Sequence, residues 1–192
     1  MKRAFAVLLL LAANAAAVEL RVQFGALERM LAEQVFTQEG RRYVRGNKDN
    51  KCNFAYLEKP QVRGENGRLR MKARFSGRSS LNFAGQCVGL GDAFDVIILA
   101  LPIYKNGTIG LQAVKVTSDG KTGYYIRRVC AAMEASLARD FKYALERDAQ
   151  ILLENNTAQP NYQREVRHFQ VPEIRVTDDA LVLQVVFELT IK

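Results

Sequence analysis

The sequence has little of what most enzymes use at their active sites. It contains no tryptophan, one histidine and three cysteines in 192 residues. A single histidine cannot form a histidine-rich metal site, and no serine or cysteine nucleophile motif lies near His168. We therefore interpret His168 as a structural or surface residue. The sequence predicts a protein that is not an enzyme and that uses no cofactor or metal.

Long apolar runs are also scarce, and the first of them lies at the N-terminus. Lys2 and Arg3 precede the uncharged run Ala4–Ala13. Ala15 and Ala17 then form the small-x-small pattern that signal peptidase recognises. The run is shorter than the ~20 residues that a membrane-spanning helix needs. We therefore predict a cleavable secretory leader and not a membrane anchor.

Removal of this leader, residues 1–17, leaves residues 18–192 as a single domain of ordinary size. We predict that this domain is periplasmic or secreted. The whole sequence carries a net charge of +8, and the domain stays basic after Lys2 and Arg3 are removed. For an exported protein this charge favours an anionic membrane surface or a cell-envelope polymer as partner, and not nucleic acid.

The few cysteines allow one disulfide and leave one thiol in an oxidising compartment. Cys52 and Cys87 both fall in predicted strands, so we expect that they pair, while the other pairings stay open. Cys130 lies at the predicted start of a helix, where the helix dipole would lower the pKa of a thiol. The alternative is that Cys130 is a small buried core residue.

Apolar residues recur at helical spacing in two segments, which predicts helices over Leu20–Phe36 and Ile126–Glu154. Asn155 ends the second helix, and Pro160 prevents its continuation. The polar segment Gln38–Lys51 between the helices is predicted as a loop or hairpin connection. The apolar stripes consist of Leu20, Phe24, Leu27, Leu31 and Val35 in the first helix, and of Met133, Leu137, Phe141, Leu145 and Leu152 in the second.

Alternating apolar and polar residues predict strands through most of the remaining chain. In Arg68–Phe75 the apolar residues face one side and the basic residues face the other. Asn106 and Gly107 predict a tight turn between two longer strands, Asp95–Tyr104 and Thr108–Val116. Other strands are predicted around Phe54 and Tyr56, around Leu81 and Phe83, and over His168–Val176 and Leu181–Ile191.

The predicted strands and the second helix match in length. The last strand spans on the order of 35–40 Å at ~3.3 Å per residue. The second helix covers about the same distance at ~1.5 Å per residue. We therefore predict an α+β fold in which a long, highly curved antiparallel sheet wraps around one long helix plus an N-terminal helix. Such a layer would leave an apolar groove between sheet and helix.

The central hairpin resembles that of a known family, the YceB-type periplasmic lipoproteins of Gram-negative bacteria. The family also has a helix after its leader, a long amphipathic helix after the hairpin, and a closing strand. It belongs to the tubular lipid-binding superfamily, which resembles one half of the bactericidal/permeability-increasing protein. The residues that carry the resemblance are Leu99, Ala100, Leu101, Pro102, Ile103 and Tyr104, then Gly107, Ile109, Leu111, Val114 and Val116.

This resemblance implies a strongly curved roll around a long helix, enclosing an apolar tunnel for acyl chains. The chain departs from the family at one point, because Ala17-Val18 has no lipidation cysteine at the cleavage site. We therefore expect a protein that is free in the periplasm or secreted, and not one tethered to a membrane.

The leading hypothesis is a binding or carrier protein for a lipid or another long apolar molecule. Candidate anion-binding residues for the headgroup are Arg68, Arg70, Lys72 and Arg74, and their alternative role is a solvated sheet face. Candidate ligand-binding residues, for which the alternative is ordinary core packing, are Phe24, Leu27, Leu31, Leu69, Met71, Phe75, Phe83, Ile97, Leu99, Met133, Leu137 and Phe141.

A second hypothesis comes from a different functional class. The same pattern of two helices and many strands would serve an exported adaptor or inhibitor module, with a cystatin-like sheet folded over a helix. Such a module would have a fully packed core and no ligand. The two hypotheses therefore differ in whether the apolar space between sheet and helix is empty or filled.

Overall fold

A computed structural model of the chain describes residues 17–155 and 162–192. The predicted leader, residues 1–17, lies outside the described residues except for Ala17, and so does Pro160. The described part of the chain forms nine strands and three helices. None of the helices in this part is long and apolar enough to cross a lipid bilayer.

Strands make up most of the described fold, and the predicted α+β class is confirmed. The strands are β1 (Val18–Gln23), β2 (Arg41–Arg45), β3 (Asn53–Glu65), β4 (Arg68–Phe83), β5 (Gln86–Lys105), β6 (Thr108–Ser118), β7 (Lys142–Tyr143), β8 (Arg164–Val176) and β9 (Ala180–Ile191). The helices are α1 (Phe24–Gln34), α2 (Tyr124–Asp140) and α3 (Leu145–Glu154).

The strands pair antiparallel in two sheets, as the sequence predicts. The larger sheet has the order β2-β3-β4-β5-β6-β7, and the smaller has the order β1-β9-β8. Asn106 and Gly107 form the turn between β5 and β6, with φ angles of 49° and 76°. The alternation in β4 is also confirmed, because Ala73 and Phe75 are buried and Met71 on the same face is half-buried.

The larger sheet curls into a half-barrel. Lys59 in β3 and Ala113 in β6 have positive φ angles of 54° and 49°. The register of β3 against β4 shifts at Lys59, and that of β5 against β6 shifts at Ala113. A bulge of this kind bends its strand and increases the local twist. These two bulges therefore contribute to the curl.

The prediction of one long helix over Ile126–Glu154 is wrong. The short strand β7 separates α2 from α3, and its residues Lys142 and Tyr143 pair with the edge of β6. The N–H of Glu146 then donates to the carbonyl of Gly107 at 3.0 Å. These contacts satisfy backbone groups at an open sheet edge, so tertiary structure overrides the helical spacing.

The predicted first helix, Leu20–Phe36, is also shorter than expected. Its first residues lie in β1, where Leu20 pairs with Leu183 of β9, and α1 begins only at Phe24. Similarly, the predicted connection Gln38–Lys51 contains β2. In both places the segment forms a strand because it pairs with the edge of a neighbouring strand, β9 for β1 and β3 for β2, although its own sequence pattern does not specify a strand.

Two apolar cores hold the fold together. The first lies between α2 and the larger sheet, and the rings of Phe75 and Phe94 meet there at 5.0 Å between centroids. The second lies between the smaller sheet, β6 and α3, and contains Phe169, Leu183 and Val185. The two cores share no buried residue, so they are distinct clusters of the interior.

Each helix is fastened to a strand by a glutamate side chain. These carboxylates accept a hydrogen bond from a strand N–H, an interaction that contributes about 1.5–3 kcal/mol when one partner is charged. The pairs are Val62 to Glu28 of α1 at 2.6 Å, Val116 to Glu134 of α2 at 2.8 Å, and Val166 to Glu154 of α3 at 2.8 Å. The helices are therefore held in place at these points as well as by packing.

The expected disulfide between Cys52 and Cys87 is confirmed. It joins the residue before β3 to the early part of β5, with Cα atoms 5.2 Å apart. Cys130 lies inside α2 and not at its start, and it is buried in the first core. Burial raises the pKa of this thiol, and the nearby Glu134 carboxylate raises it further. Cys130 is therefore a core residue and not an acidified thiol.

Candidate functional site

The region where the two cores meet contains a cavity of about 370 Å³, which we call the apolar chamber. The end of the larger sheet, the smaller sheet, all three helices and β7 contribute to its walls. Most of the lining side chains are apolar, including Leu27, Leu31, Met71, Ile98, Leu137 and Leu183. The interior at this point is therefore not closely packed.

The chamber is open to solvent on one side. Two of its lining residues, Leu20 of β1 and Leu152 of α3, are 43% and 76% exposed. A lining side chain that is exposed to this extent lies at the mouth of a cavity. The mouth of the chamber therefore includes β1 and α3.

A second, more polar cavity of about 770 Å³ adjoins the chamber, and we call it the vestibule. Leu31, Leu137 and Phe141 line both cavities, so the two are neighbours. The vestibule lies beside the break between α2 and α3. Its polar and charged lining includes Arg42, Tyr43, Ser136, Asp140, Lys142 and Arg147.

Three polar side chains, Gln34, Tyr143 and Asp148, line both cavities and mark the boundary between them. Burial raises the pKa of the Tyr143 phenol, and its hydrogen bond to the Asp148 carboxylate raises it further, while Gln34 acts in the opposite direction. The phenol proton is therefore directed to the Asp148 carboxylate at this boundary.

The charges of the vestibule are partly compensated. Arg139 lies 2.8 Å from Asp140, and Arg147 lies 3.4 Å from Asp148. The pKa of Asp140 is below its ordinary value, chiefly because of the hydrogen bonds from Arg139 and in part because of the Arg42 charge. Arg42 and Asp140 both line the vestibule. The two neighbouring cavities therefore differ in lining, because apolar side chains dominate one and the other contains several charged side chains.

The predicted ligand-binding residues divide into three groups. Residues that line the chamber are Leu27, Leu31, Leu69, Met71, Leu137 and Phe141. Residues buried outside it are Phe24, Phe75 and Met133, and the last two belong to the first core. Residues elsewhere are Ile97 and Leu99 on the outer face of β5, and Phe83, which is 76% exposed.

The placement of Ile97 and Leu99 has a simple cause. In β5 the side chains that face inward are Ile98 and Ala100, which line the chamber. Successive residues of a strand face opposite sides, but this segment is apolar at nearly every position. The sequence pattern therefore does not show which side chains of β5 face inward. The pairing of Leu99 with Arg70 places Leu99 on the outer face, so Ile98 and Ala100 point inward.

The basic row of β4 lies on the outer face, where Arg70 and Lys72 are half-buried and Arg74 is exposed, and it is largely paired with carboxylates. Arg70 lies 3.0 Å from Glu65, and Arg74 lies 3.1 Å from Asp95. Lys72 lies 3.3 Å from Asp95 and 2.9 Å from Asp119. An anionic headgroup would have to compete with these carboxylates, so the geometry gives the row no advantage as an anion site. Arg68 is exposed at the start of the strand.

A metal site is not found among residues 17–155 and 162–192. The His168 side chain is 79% exposed and lies 3.8 Å from the Glu188 carboxylate. This position agrees with the interpretation of His168 as a surface residue. Comparison of the chain with protein-family models and with curated proteins finds no match.

Proposed function

We propose that the chain binds a lipid or another long apolar molecule, with the apolar chain in the chamber and the polar end in the vestibule. The observation that carries this proposal is the apolar chamber of about 370 Å³ with an open mouth. Its volume lies within the range of ~300–1,000 Å³ that is usual for small-molecule sites. The proposed activity is binding, without catalysis.

The energetics of an empty chamber support this proposal. Unfilled apolar space costs about 24 cal/mol per Å³, so a dry void of 370 Å³ would cost on the order of 9 kcal/mol. Water that enters through the mouth makes this figure an upper limit. A bound chain would recover about 0.8 kcal/mol for each methylene group that it buries. The fold is therefore more stable with the chamber occupied.

The vestibule supports an amphipathic ligand over a purely apolar one. Its charged side chains adjoin the apolar chamber directly, so a single extended molecule would contact both. Gln34, Tyr143 and Asp148 form the boundary, so a polar group in the middle of such a ligand would lie beside polar side chains there. Lys142 and Arg42 supply positive charge farther out.

The curled antiparallel sheet and the order of the elements are compatible with the tubular lipid-binding superfamily, and we propose membership in it. The break between α2 and α3 replaces the single long helix that this likeness implies, and it is the break that lines the vestibule. We also propose that the protein acts after export, as its N-terminal pattern predicts.

The proposal is tested by asking whether the purified protein contains or takes up a lipid. Organic extraction followed by mass spectrometry identifies a molecule that co-purifies. Protein stripped of that molecule is then titrated with a dansyl-labelled fatty acid, whose fluorescence increases in an apolar site. We expect saturable binding. A stripped protein that takes up no probe would instead favour the adaptor alternative.

A pair of variants on α1 localises the binding. Leu27 lines the chamber, whereas Ala32 on the same helix is exposed. Leu27→Trp places an indole in the chamber and should weaken probe binding by about tenfold or more, since it occupies space that the ligand needs. Ala32→Trp adds the same group at the surface and should leave binding within about twofold. Equal affinities for the two variants would exclude the chamber as the binding site.

A further inference from the structure

The hairpin between β4 and β5 extends beyond the rest of the larger sheet. Pairing of β3 with β4 begins at Ser79, and pairing of β5 with β6 begins only at Val96. Beyond Ser79, the described strands β4 and β5 pair only with each other, out to Phe83 and Gln86. The end of this hairpin is therefore a two-stranded ribbon that projects from the sheet.

One face of the ribbon carries four large apolar side chains that are exposed. Leu81 is 79% exposed, Phe83 76%, Val88 63% and Leu90 73%. Leu81 pairs directly with Val88, and residues two apart on a strand share a face, so all four lie on one side. We call this surface the apolar tip. Patches of this kind on an otherwise ordinary surface usually mark a contact site.

The opposite face of the ribbon is fixed to the body of the protein. Cys87 is bonded to Cys52, and the Ser80 hydroxyl donates to the Cys52 carbonyl at 2.7 Å. The Asn53 side chain donates to the Ser80 carbonyl at 2.8 Å. The tip is therefore held in its exposed position and cannot fold back to bury its apolar side chains without breaking these bonds.

The size and composition of the tip argue against a protein partner. Four side chains offer a few hundred Å² of surface, whereas a stable protein interface needs about 800 Å² on each side. Protein interfaces rely on tryptophan, tyrosine and arginine, and leucine and valine are under-represented among their main contributors. The narrow ribbon also forms no pocket. A fluid partner, which needs no complementary shape, fits these properties better.

The charge near the tip has the sign that an anionic lipid surface requires. Arg78 lies on β4 just before the tip, on the same face as Ser80, and Lys48 and Lys51 lie in the loop that the disulfide joins to that face, so these charges flank the apolar side chains from behind. Asp49 is in the same loop, so the loop itself is only weakly basic. Within residues 17–155 and 162–192, Lys51 and Arg78 make no ion pair, unlike the basic row of β4.

We propose that the apolar tip docks the protein on the surface of an anionic lipid bilayer. The four side chains enter the interface, where Phe and Leu side chains of peripheral proteins are buried about 5–10 Å deep. The free backbone edges of the two-stranded ribbon limit the depth, because unpaired N–H and C=O groups are excluded from hydrocarbon. Lys51 and Arg78 lie near the headgroups.

This docking site is separate from the proposed ligand site. The chamber contacts β4 at Met71, about 40 Å along the strand from Phe83 at ~3.3 Å per residue. Docking can therefore be measured whether or not the chamber is occupied, and each proposal can fail without the other.

The test measures the partition of the full, disulfide-bonded protein onto vesicles by flotation. Vesicles contain equal parts of phosphatidylcholine and phosphatidylglycerol. Leu81→Ser/Phe83→Ser should lower the partition coefficient by about tenfold or more, because it removes half of the apolar tip. Leu189→Ser/Ile191→Ser is the matched control, since these residues are 41% and 60% exposed on β9. The control should stay within about twofold of the unmodified protein.

A fluorescence reporter gives an independent measurement. The chain has no tryptophan, so Phe83→Trp introduces a unique indole at the tip. Its emission should shift to shorter wavelength when vesicles are added, and it should become protected from acrylamide. Ile191→Trp should show neither change. Separately, Lys51→Gln and Arg78→Gln should each weaken binding to the anionic vesicles by about fivefold and leave binding to pure phosphatidylcholine unchanged.

Three results would overturn the proposal. The first is an equal partition coefficient for the tip variant and the control. The second is an indole at position 83 whose emission ignores vesicles. The third is a dimer in analytical ultracentrifugation that Leu81→Ser/Phe83→Ser dissociates while vesicle binding is absent, which would assign the tip to a second copy of the chain.

Discussion

Two substitutions one helical turn apart on α2 provide the sharpest test of whether the chamber is empty. Leu137 lines the chamber and is half-buried, whereas Met133 is 3% exposed and packed in the first core. Replacement of either residue by tryptophan adds about 60 Å³, roughly two water volumes. The two changes are nearly the same in chemistry and in helix position. They differ in whether the surrounding space can accept the added volume.

The expected free energies of unfolding move in opposite directions. At Leu137 the indole fills part of the 370 Å³ chamber. At about 24 cal/mol per Å³ this filling stabilises the protein by up to ~1.4 kcal/mol, less whatever strain the ring introduces. At Met133 no space is available, so overpacking should destabilise the protein by about 1–3 kcal/mol. The difference between the variants should therefore be about 1–4 kcal/mol.

Urea denaturation followed by far-ultraviolet circular dichroism measures both values in protein stripped of lipid. The introduced indole is the only one in each variant, so its fluorescence reports on the same transition at a known position. Equal destabilisation by Leu137→Trp and Met133→Trp would refute the reasoning, because it would mean that the chamber is as closely packed as the core. Loss of ligand binding in Leu137→Trp without loss of stability would support it.

Three further predictions concern stability. Gly64→Ala should destabilise the protein by at least about 2 kcal/mol, because the added Cβ would collide with the backbone of the turn before β9. Gly25→Ala in α1 places its Cβ in open space, so it should stabilise the protein by up to ~1 kcal/mol in the same urea titration. Replacing both Cys52 and Cys87 by serine should lower the free energy of unfolding by about 4 kcal/mol in the chain-entropy model, because the disulfide closes a loop of 35 residues. An unchanged free energy of unfolding would contradict this stabilising role. Hydrogen bonds from Arg74 and then from Lys72 hold the pKa of the Asp95 carboxylate below its ordinary value, although burial acts in the opposite direction. Because the pKa is lower in the folded state, the stabilisation is present above about pH 4 and is lost as the pH falls further. Asp95→Asn should therefore flatten the acid limb of the stability profile, and an identical acid limb would rule this pairing out.

Features set by neighbouring residues could be predicted from the sequence. The inward face of β4 follows from strict alternation between apolar and basic residues, which only one strand orientation can satisfy. The turn at Asn106 and Gly107 follows from the positive φ angles that these residues tolerate. The pairing of Cys52 with Cys87 rests on weaker grounds, since it follows only from the placement of both residues in predicted strands.

Features set by distant contacts could not be predicted. The helical spacing through Phe141 and Leu145 is regular, yet the edge of β6 draws Lys142 and Tyr143 into a strand and divides the helix. The pattern around Phe83 is typical of a half-buried strand. No other element covers that part of the hairpin in the described chain, so its apolar face is exposed.

Local side-chain patterns are enough to specify which faces are apolar, where the chain turns and that strands dominate, because these properties depend on side chains a few residues apart. Long-range packing sets which apolar faces are in contact, where contact is incomplete and leaves the chamber, and which face, as at the apolar tip, is left uncovered by the described residues. Burial depends on what another part of the chain brings to a surface. An alternating or helical pattern specifies the surface alone.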